Sequence, residues 1–195
     1  MGEVITLVPP KVATVNIEVV GTSPLICHRW SEKAKKQMLD KQTKAAATAK
    51  QAKNPEEDFR QSLYPHPDGG YGFPSVAFKA AAVRAGTYSD MKMTFLRGAF
   101  HVSGELVKIA GDPTMREDMV RLPSRVADIR HRGEFKEWSA NVPLQVNTSA
   151  LSIEQLANLF VIAGFAVGVG EWRPERNGQH GRFEVGGITS GMVAA

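Results

Sequence analysis

The sequence has 195 residues, of which 43% are hydrophobic, and it carries 24 Lys and Arg residues against 20 Asp and Glu residues. This apolar content is enough to build one sizeable core, which excludes a wholly disordered or fibrous chain. The net charge of +4 is too small to indicate a nucleic-acid partner by itself.

The single cysteine, Cys27, excludes an internal disulfide and a zinc site built from cysteines, and it is typical of a reducing compartment. We interpret Cys27 as a buried structural thiol rather than a nucleophile. Residues 1–10 lack the basic and apolar regions of a secretory signal. The longest apolar stretch, 156–169, is shorter than the roughly 20 residues that cross a bilayer. We therefore expect a cytoplasmic protein without a membrane partner.

The chain begins with an alternating stretch, 11–21, which predicts a strand with one buried face. The segment Arg29–Lys53 follows and carries eight Lys or Arg residues against Glu32 and Asp40, a net charge of +6. Its Ala, Lys and Gln content favours a helix, but its apolar positions are too sparse to anchor one. We predict a helical or mobile basic insertion that stops at Asn54-Pro55.

The next stretch, 64–74, reads YPHPDGGYGFP and has the residue types of turns throughout. We expect Ser75 to cap a short helix that ends at Gly86. Residues 93–102 alternate and predict a strand, which Ser103-Gly104 turns into a second strand over 106–110 as a hairpin.

Residues 111–133 are charged and irregular, and they predict a loop or a second insertion. The overlapping segment Arg121–Lys136 has five Lys or Arg residues against two acidic residues, a net charge of +3. A third alternating strand is predicted over 137–147. Ser152 and Gln155 then form the capping box that starts an apolar helix. The last strand begins at Arg182.

This order of strands and helices is the β-α-β-β-α-β pattern of a ferredoxin-like or RRM-like fold. We predict an α+β fold with one antiparallel sheet, two helices on one sheet face, and basic insertions. A single domain is expected over 1–195, with a core of about 11–28, 71–110 and 134–190 and insertions over about 29–63 and 111–133. The open sheet face is predicted to carry Asn16, Arg97, His101, Asn141, Gln145, Asn147 and Arg182.

The segment 168–185, GVGEWRPERNGQHGRFEV, joins the apolar helix to the last strand and is the most informative local feature. Glycines let a backbone approach phosphate oxygens, arginines add charge, and a tryptophan offers a stacking plane. The alternative, given equal weight, is a connecting loop whose arginines are solvated. The residues concerned are Gly168, Gly170, Gly178, Gly181, Trp172, Arg173, Arg176, His180 and Arg182.

The sequence supports neither a metal site nor a cofactor. The five histidines, His28, His66, His101, His131 and His180, do not have the spacing of metal ligands. The chain has no P-loop motif and no serine in a nucleophile-elbow context. We therefore predict no catalytic residue, no metal and no cofactor.

The basic segments flank the open sheet face, and such an arrangement forms a groove for a phosphate backbone. Trp30, Phe95, Trp138 and Trp172 are candidates to stack on bases. The alternative is that these charge runs are solvated faces, as most are. Single-stranded nucleic acid is the expected partner.

Three pieces of the chain, in order, resemble the RAMP superfamily, the RNA-binding backbone subunits of CRISPR effector complexes. They are GTSPLICH at 21–28, YGFPSVAFKAAAVRAG at 71–86, and the glycine-rich segment 168–185. The second is similar to a lysine-bearing helix start of that superfamily, with Ala80 where a glycine is usual. The compact size and PHPDGGYGFP also resemble bacteriophage proteins, which implies the cytoplasm of a bacterial host.

The resemblance implies an RRM-like core that binds a single strand and stacks head to tail along it, as a homo-oligomer or filament or with other ribonucleoprotein subunits. It implies strand contacts at His28, Arg29, Lys79, Arg84, Arg173, Arg176, His180 and Arg182. We add Lys33, Arg97 and Trp172 from their charge or aromatic character. Some members of the superfamily cleave RNA with an aspartate after the first strand, and Asp40 lies in a comparable segment.

We therefore predict a non-catalytic protein that binds single-stranded RNA or DNA and oligomerises head to tail. One alternative is a metal-independent endoribonuclease that uses His28 or His101 as general acid or base. The other is a viral structural or assembly protein. The sequence does not distinguish RNA from DNA, because that choice depends on contacts to the 2′-hydroxyl.

Overall fold

The structure is a computed structural model that describes residues 9–43, 54–121 and 125–191. Its strands are β1 (Val12–Gly21), β2 (Leu25–Cys27), β3 (Tyr64–Pro65), β4 (Tyr71–Pro74), β5 (Phe100–Val102), β6 (Leu106–Ala110), β7 (Pro113–Arg121), β8 (Ala127–Phe135), β9 (Ser139–Asn147) and β10 (Phe183–Gly191). Its helices are α1 (Glu32–Gln42), α2 (Pro55–Ser62), α3 (Ser75–Ala85), α4 (Met93–Ala99) and α5 (Ile153–Ile162). No described helix is long and apolar enough to cross a membrane.

The larger sheet has the strand order β10-β1-β9-β6-β4-β3, and β5 pairs with the far end of β9. Neighbouring strands are antiparallel throughout. Helix α3 lies in sequence between β1 and the pair β5 and β6, and α5 lies between β9 and β10. The central order β10-β1-β9-β6 is therefore that of a ferredoxin-like sheet, and the predicted α+β fold class is confirmed.

The core lies between this sheet and the helices α3 and α5. Val15 and Ile17 of β1 are fully buried and stand opposite Leu144 and Val142 of β9. Phe78 of α3 and Phe160 of α5 are also fully buried in the same cluster. Burying a side chain of this size contributes about 1.5–3 kcal/mol. The one-sided burial predicted for the first strand is confirmed.

The opposite sheet face is exposed within the described part of the chain. It carries the predicted residues Asn16, His101, Asn141 and Gln145, and Asn147 is half-exposed. The prediction was wrong for two residues of this face. Arg97 lies on α4, and Arg182 precedes β10 with its Nε atom buried.

A smaller sheet has the strand order β2-β8-β7. Strand β7 and most of β8 lie in 111–133, the region predicted to be a loop or a second insertion. The interpretation of 111–133 as irregular is wrong, because β7 and β8 pair over nine residues each. Arg116 stands directly opposite Arg132 across this pair, so their side chains share one sheet face. Helix α2 packs against β8, where the Gly133 amide donates to Ser62 Oγ at 2.7 Å.

The predicted strand over 93–102 is also wrong in its first seven residues, which form α4. Leu96 and Ala99 are buried and lie three residues apart, a helical spacing that the alternating pattern concealed. The predicted hairpin does not form, since β5 and β6 both pair with β9 rather than with each other. Ser75 does not cap α3, because its hydroxyl donates to the carbonyl of Gly104 at 2.6 Å.

The capping box of Ser152 and Gln155 is confirmed at the start of α5. The apolar stretch after it is not one α-helix, since α5 ends at Ile162 and a π-helical turn, Ala163–Val167, follows. The basic segment contains α1, while its residues 44–53 lie outside the described residues.

Candidate functional site

The described residues line a cavity of about 370 Å³, which we call the cleft. Helix α3 lines it with Ala77, Ala80 and Ala81, whose small side chains leave the space open. Phe73 of β4 and Ile26 of β2 add apolar surface. The segment 167–176 lines it as well, so the cleft contains parts of all three pieces that carry the family resemblance.

Backbone hydrogen bonds hold the glycine-rich segment against the start of the chain. The Glu171 amide donates to the carbonyl of Ile26 at 3.1 Å, and the Gly181 amide donates to that of Pro24 at 2.7 Å. The Val169 amide in turn donates to the Gly181 carbonyl at 2.9 Å. This segment is therefore an anchored part of the cleft rather than a loose connection.

The glycines of the segment are required by its own packing. A Cβ atom at Gly181, where φ is +65°, would collide with the Val169 carbonyl, and one at Gly178 would collide with the Trp172 carbonyl. A Cβ atom at Gly170 would lie 2.7 Å from the carbonyl oxygen of Ile26. Gly168 and Gly170 line the cleft in addition. The glycine pattern is thus explained by close contacts within the protein.

Three arginines lie in or beside the cleft, and they come from two separate elements. Arg173 donates from Nε and Nη2 to Glu175 Oε2 at 3.0 and 2.9 Å, and from Nη1 to the Gly170 carbonyl at 3.1 Å. Arg84, near the end of α3, places its Nε atom 3.4 Å from Glu175 Oε1. Arg176 also lines the cleft and is exposed.

A further close pair in the cleft is formed by His28 and Glu171, with Nδ1 3.5 Å from Oε1. The hydrogen bond from His28 lowers the pKa of Glu171 below its usual range, while partial burial opposes this shift. Glu171 therefore remains a carboxylate at neutral pH and orients the imidazole ring. Burial raises the pKa of Tyr64, which also lines the cleft, so that its hydroxyl keeps its proton.

Trp172 belongs to the glycine-rich segment but does not line the cleft, and its φ is positive, at 52°. The guanidinium carbons of Arg116 and Arg132 lie 5.4 and 5.6 Å from its ring centroid, within the range of a cation–π contact. Arg116 also donates to Asp118 at 2.8 Å and to Glu134 at 2.7 Å. The ring is thus engaged inside the protein, and its stacking on a base stays a prediction.

The other aromatic candidates have different environments. Trp138 is only 4% exposed, and its Nε1 atom donates to the Ser23 carbonyl at 2.9 Å. The expectation that Trp138 stacks on a base is therefore wrong. Trp30 and Phe95 are 59% and 45% exposed and remain accessible.

The lining of the cleft includes five residues of the predicted set, and Arg84 pairs with Glu175 beside it. The five are His28, Gly168, Gly170, Arg173 and Arg176. Several other members lie away from the cleft. Lys79 contacts His101 through Nζ and Nδ1 at 3.0 Å, and Arg97 is exposed on α4. Arg29 lies beside Glu32 at 3.8 Å, and the side chain of Lys33 is outside the described part of the chain. His180 and Arg182 are half-buried.

The sequence reasoning missed Tyr64 and the two carboxylates of the cleft, Glu171 and Glu175. The available signal was their position, since both acids stand within two residues of Arg173 in an otherwise basic segment. Acidic residues so close to an arginine are placed to pair with it. Arg116 and Arg132 are absent from the predicted site because the prediction for 111–133 is a loop or a second insertion, in which the two strands that bring them together are not expected.

No family model matches the sequence, and no curated protein matches it. The chain is similar to the crystal structure of Cmr6 from Pyrococcus furiosus, with 11% identity and a TM-score of 0.48 over 89% of this chain and 98% of that chain. It is also similar to a chain in the cryo-EM structure of the Type III-B Cmr-beta bound to cognate target RNA, with 8% identity and a TM-score of 0.49 over 94% of this chain and 62% of that chain.

Proposed function

We propose that the protein is a non-catalytic subunit of a ribonucleoprotein that binds single-stranded RNA through the cleft. The observation that carries this proposal is a group of three arginines at the cleft: Arg173 and Arg176 line it, and Arg84 pairs with Glu175, which also lines it. Guanidinium groups match the geometry of phosphate oxygens and keep their charge at any physiological pH. Their convergence from separate elements favours a bound polyanion over simple solvation.

The surroundings of the arginines support a nucleic-acid strand as that polyanion. The apolar surface from Phe73 and the alanines of α3 suits the face of a base. The open sheet face adds an exposed amide group at Gln145, opposite His101, which can hydrogen-bond to a base edge. A double helix cannot present unstacked bases to such a surface, so the proposal is specific for single strands.

The charges also favour one path for the strand. Glu18 of β1 and Glu184 of β10 are exposed on the side of the sheet formed by these two strands. These carboxylates repel phosphate groups. The bound nucleic-acid strand is therefore expected to leave the cleft toward β9 and β5, where His101 and Lys79 lie.

Assembly with other subunits, including copies of this chain stacked head to tail, is part of the proposal. Val161 and Phe165 are 52% and 77% exposed and lie four residues apart on α5 and the turn after it. Met119 and Ile129, which face each other across β7 and β8, are 71% and 46% exposed. Exposed apolar side chains of this size support contacts with a partner protein. A filament, binding to single-stranded DNA and a bacteriophage setting stay predictions.

The test is a fluorescence-anisotropy titration with a labelled 20-nucleotide RNA, the matching DNA and duplex RNA at several salt concentrations. We expect the single strand to bind more tightly than the duplex, with affinity that falls as salt rises. Arg84→Gln and Arg173→Gln should each weaken binding by about 10-fold. Arg60→Gln, an exposed arginine on α2, is the matched control and should have little effect. Absence of binding at low salt would refute the proposal.

The pair of His28 and Glu171 favours a second candidate, a metal-independent endoribonuclease. An imidazole oriented by a carboxylate can act as a general acid or base toward a 2′-hydroxyl or a leaving oxygen. Labelled RNA incubated with the protein in EDTA distinguishes the two candidates. Intact RNA after long incubation supports a binding protein. Cleavage that His28→Ala abolishes, while RNA binding is retained, supports the endoribonuclease.

A further inference from the structure

Glu175 lines the cleft and lies between two arginines, Arg173 and Arg84. Its Oε2 atom accepts from both Nε and Nη2 of Arg173, at 3.0 and 2.9 Å. Its Oε1 atom lies 3.4 Å from Nε of Arg84, a residue on a different element. A single carboxylate thus bridges two guanidinium groups that come from α3 and from the glycine-rich segment.

A phosphate group can take the place of this carboxylate, because the paired N–H donors of a guanidinium group bind both kinds of anion. Glu175 follows Arg173 by only two residues and belongs to the short 3-10 turn Pro174–Arg176. Its side chain is 27% exposed. Rotation about its own side-chain bonds is therefore enough to remove the carboxylate from the pair.

The guanidinium group of Arg173 and the backbone of Arg84 would keep their positions when the carboxylate leaves. Arg173 is also bound through Nη1 to the Gly170 carbonyl, at 3.1 Å, and this bond does not involve Glu175. Arg84 lies in the last turn of α3, whose neighbouring residues Val83 and Ala85 are buried in the core. Two cations that remain close together can bind another anion once the carboxylate has left.

We propose that Arg84 and Arg173 form a subsite for one phosphate group of the bound strand, and that Glu175 fills this subsite in the free protein and is displaced on binding. The inference rests on the proposed function for the identity of the strand. Glu175 then acts as an internal competitor that lowers affinity for any polyanion. A strand that also places a base in the adjacent cleft recovers this loss, so the carboxylate sharpens selectivity for nucleotides over simple anions.

The closing experiment measures RNA affinity for Glu175→Gln, which keeps the shape of the side chain and removes its charge. A partly exposed carboxylate competes only modestly with a phosphate group for the two arginines. We therefore expect Glu175→Gln to bind RNA about 5-fold more tightly than the unmodified protein does. Glu56→Gln, on the exposed face of α2, removes the same charge away from the cleft and is the matched control. In an Arg84→Gln, Arg173→Gln background, Glu175→Gln should give no gain, because the subsite is absent.

A second measurement separates this inference from the proposed function. Uridine monophosphate is titrated into Glu175→Gln and into the unmodified protein, with the arginine Nε–H signals followed by NMR. Shifts of two arginine signals that are larger in Glu175→Gln support the subsite, whether or not RNA binds. RNA binding without a gain beyond Glu56→Gln overturns the subsite alone. Absence of RNA binding in every protein, with shifts present, overturns the proposed function alone.

Discussion

Asp118 offers a direct test of how the small sheet supports the cleft. Its carboxylate is 4% exposed and accepts from Arg116 at 2.8 Å and from Arg132 at 3.4 Å. Both arginines contact the ring of Trp172, which belongs to the glycine-rich segment. The substitution Asp118→Asn removes the charge: Arg116 keeps its ion pair with Glu134, whereas Arg132 loses its ion pair with Asp118.

The expected loss follows from the burial of the cluster. Removing one partner of a buried ion pair costs about 3–5 kcal/mol, and the retained contact between Arg116 and Glu134 places Asp118→Asn near the lower end. For a chain of this length each kcal/mol lowers Tm by about 2–4 °C, so we expect a decrease of about 6–12 °C. The adjacent control, Glu117→Gln, removes a carboxylate that is 67% exposed and should cost less than about 1 kcal/mol.

Urea unfolding followed by circular dichroism gives the loss of unfolding free energy for both variants. Tryptophan fluorescence of the folded proteins reports on Trp172 in parallel. We expect a changed emission spectrum for Asp118→Asn and an unchanged one for Glu117→Gln. Equal stabilities for the two variants would refute the claim that this cluster is buried and coupled to the cleft.

Three further predictions concern the cleft and its neighbours. Gly181→Ala should lower the unfolding free energy by more than about 2 kcal/mol in urea titrations, because φ is +65° and the new Cβ would collide with the Val169 carbonyl; a change below about 0.5 kcal/mol contradicts this. Burial raises the pKa of Cys27 to about 12, so iodoacetamide at pH 8 should label it only in urea, as read by mass spectrometry; rapid labelling of the folded protein contradicts it. The lowered pKa of Glu171 stabilises the fold above pH 4.5, and this contribution is lost as pH falls through the lower folded value. Glu171→Gln should therefore have a lower unfolding free energy than the unmodified protein at pH 7, and this free energy should fall less steeply below pH 4.5. Parallel acid-unfolding curves for the two proteins would contradict a stabilising role of the Glu171 carboxylate.

The parts of the fold that the sequence predicted are those with local signals. Strand β1 shows a two-residue period because one face is buried and the other is exposed. The start of α5 is defined by two residues, Ser152 and Gln155, whose reciprocal hydrogen bonds need no distant partner. The order of such elements was sufficient to predict the ferredoxin-like sheet.

The small sheet lacked such a signal because its buried face is polar. Asp118, Arg132 and Glu134 are 5%, 5% and 8% exposed, and each satisfies its charge with a residue on the other strand. A charged segment with no apolar alternation is typical of a loop, so β7 and β8 could not be identified from local pattern. Only the pairing across strands turns these charges into a buried network.

The candidate site was predicted in part for a similar reason. Arg84, Arg173 and Arg176 were identified from the family resemblance and from their charge. Which of the predicted cations share the cleft depends on the direction of each side chain. Lys79 illustrates this point, since it lies five residues before Arg84 on α3 yet contacts His101 at the sheet. Glu175 was missed because its role depends on two arginines that only the fold brings together.

The hydrogen bond from the Arg182 amide to Ser23 Oγ joins residues 159 positions apart, and it has a consequence for the order of folding. During synthesis, β2 and α3 emerge long before the segment that completes the other side of the cleft. Contacts between such distant residues form late, because a long chain must first be closed into a loop. A nascent chain therefore has no finished cleft until the segment 167–182 has left the ribosome.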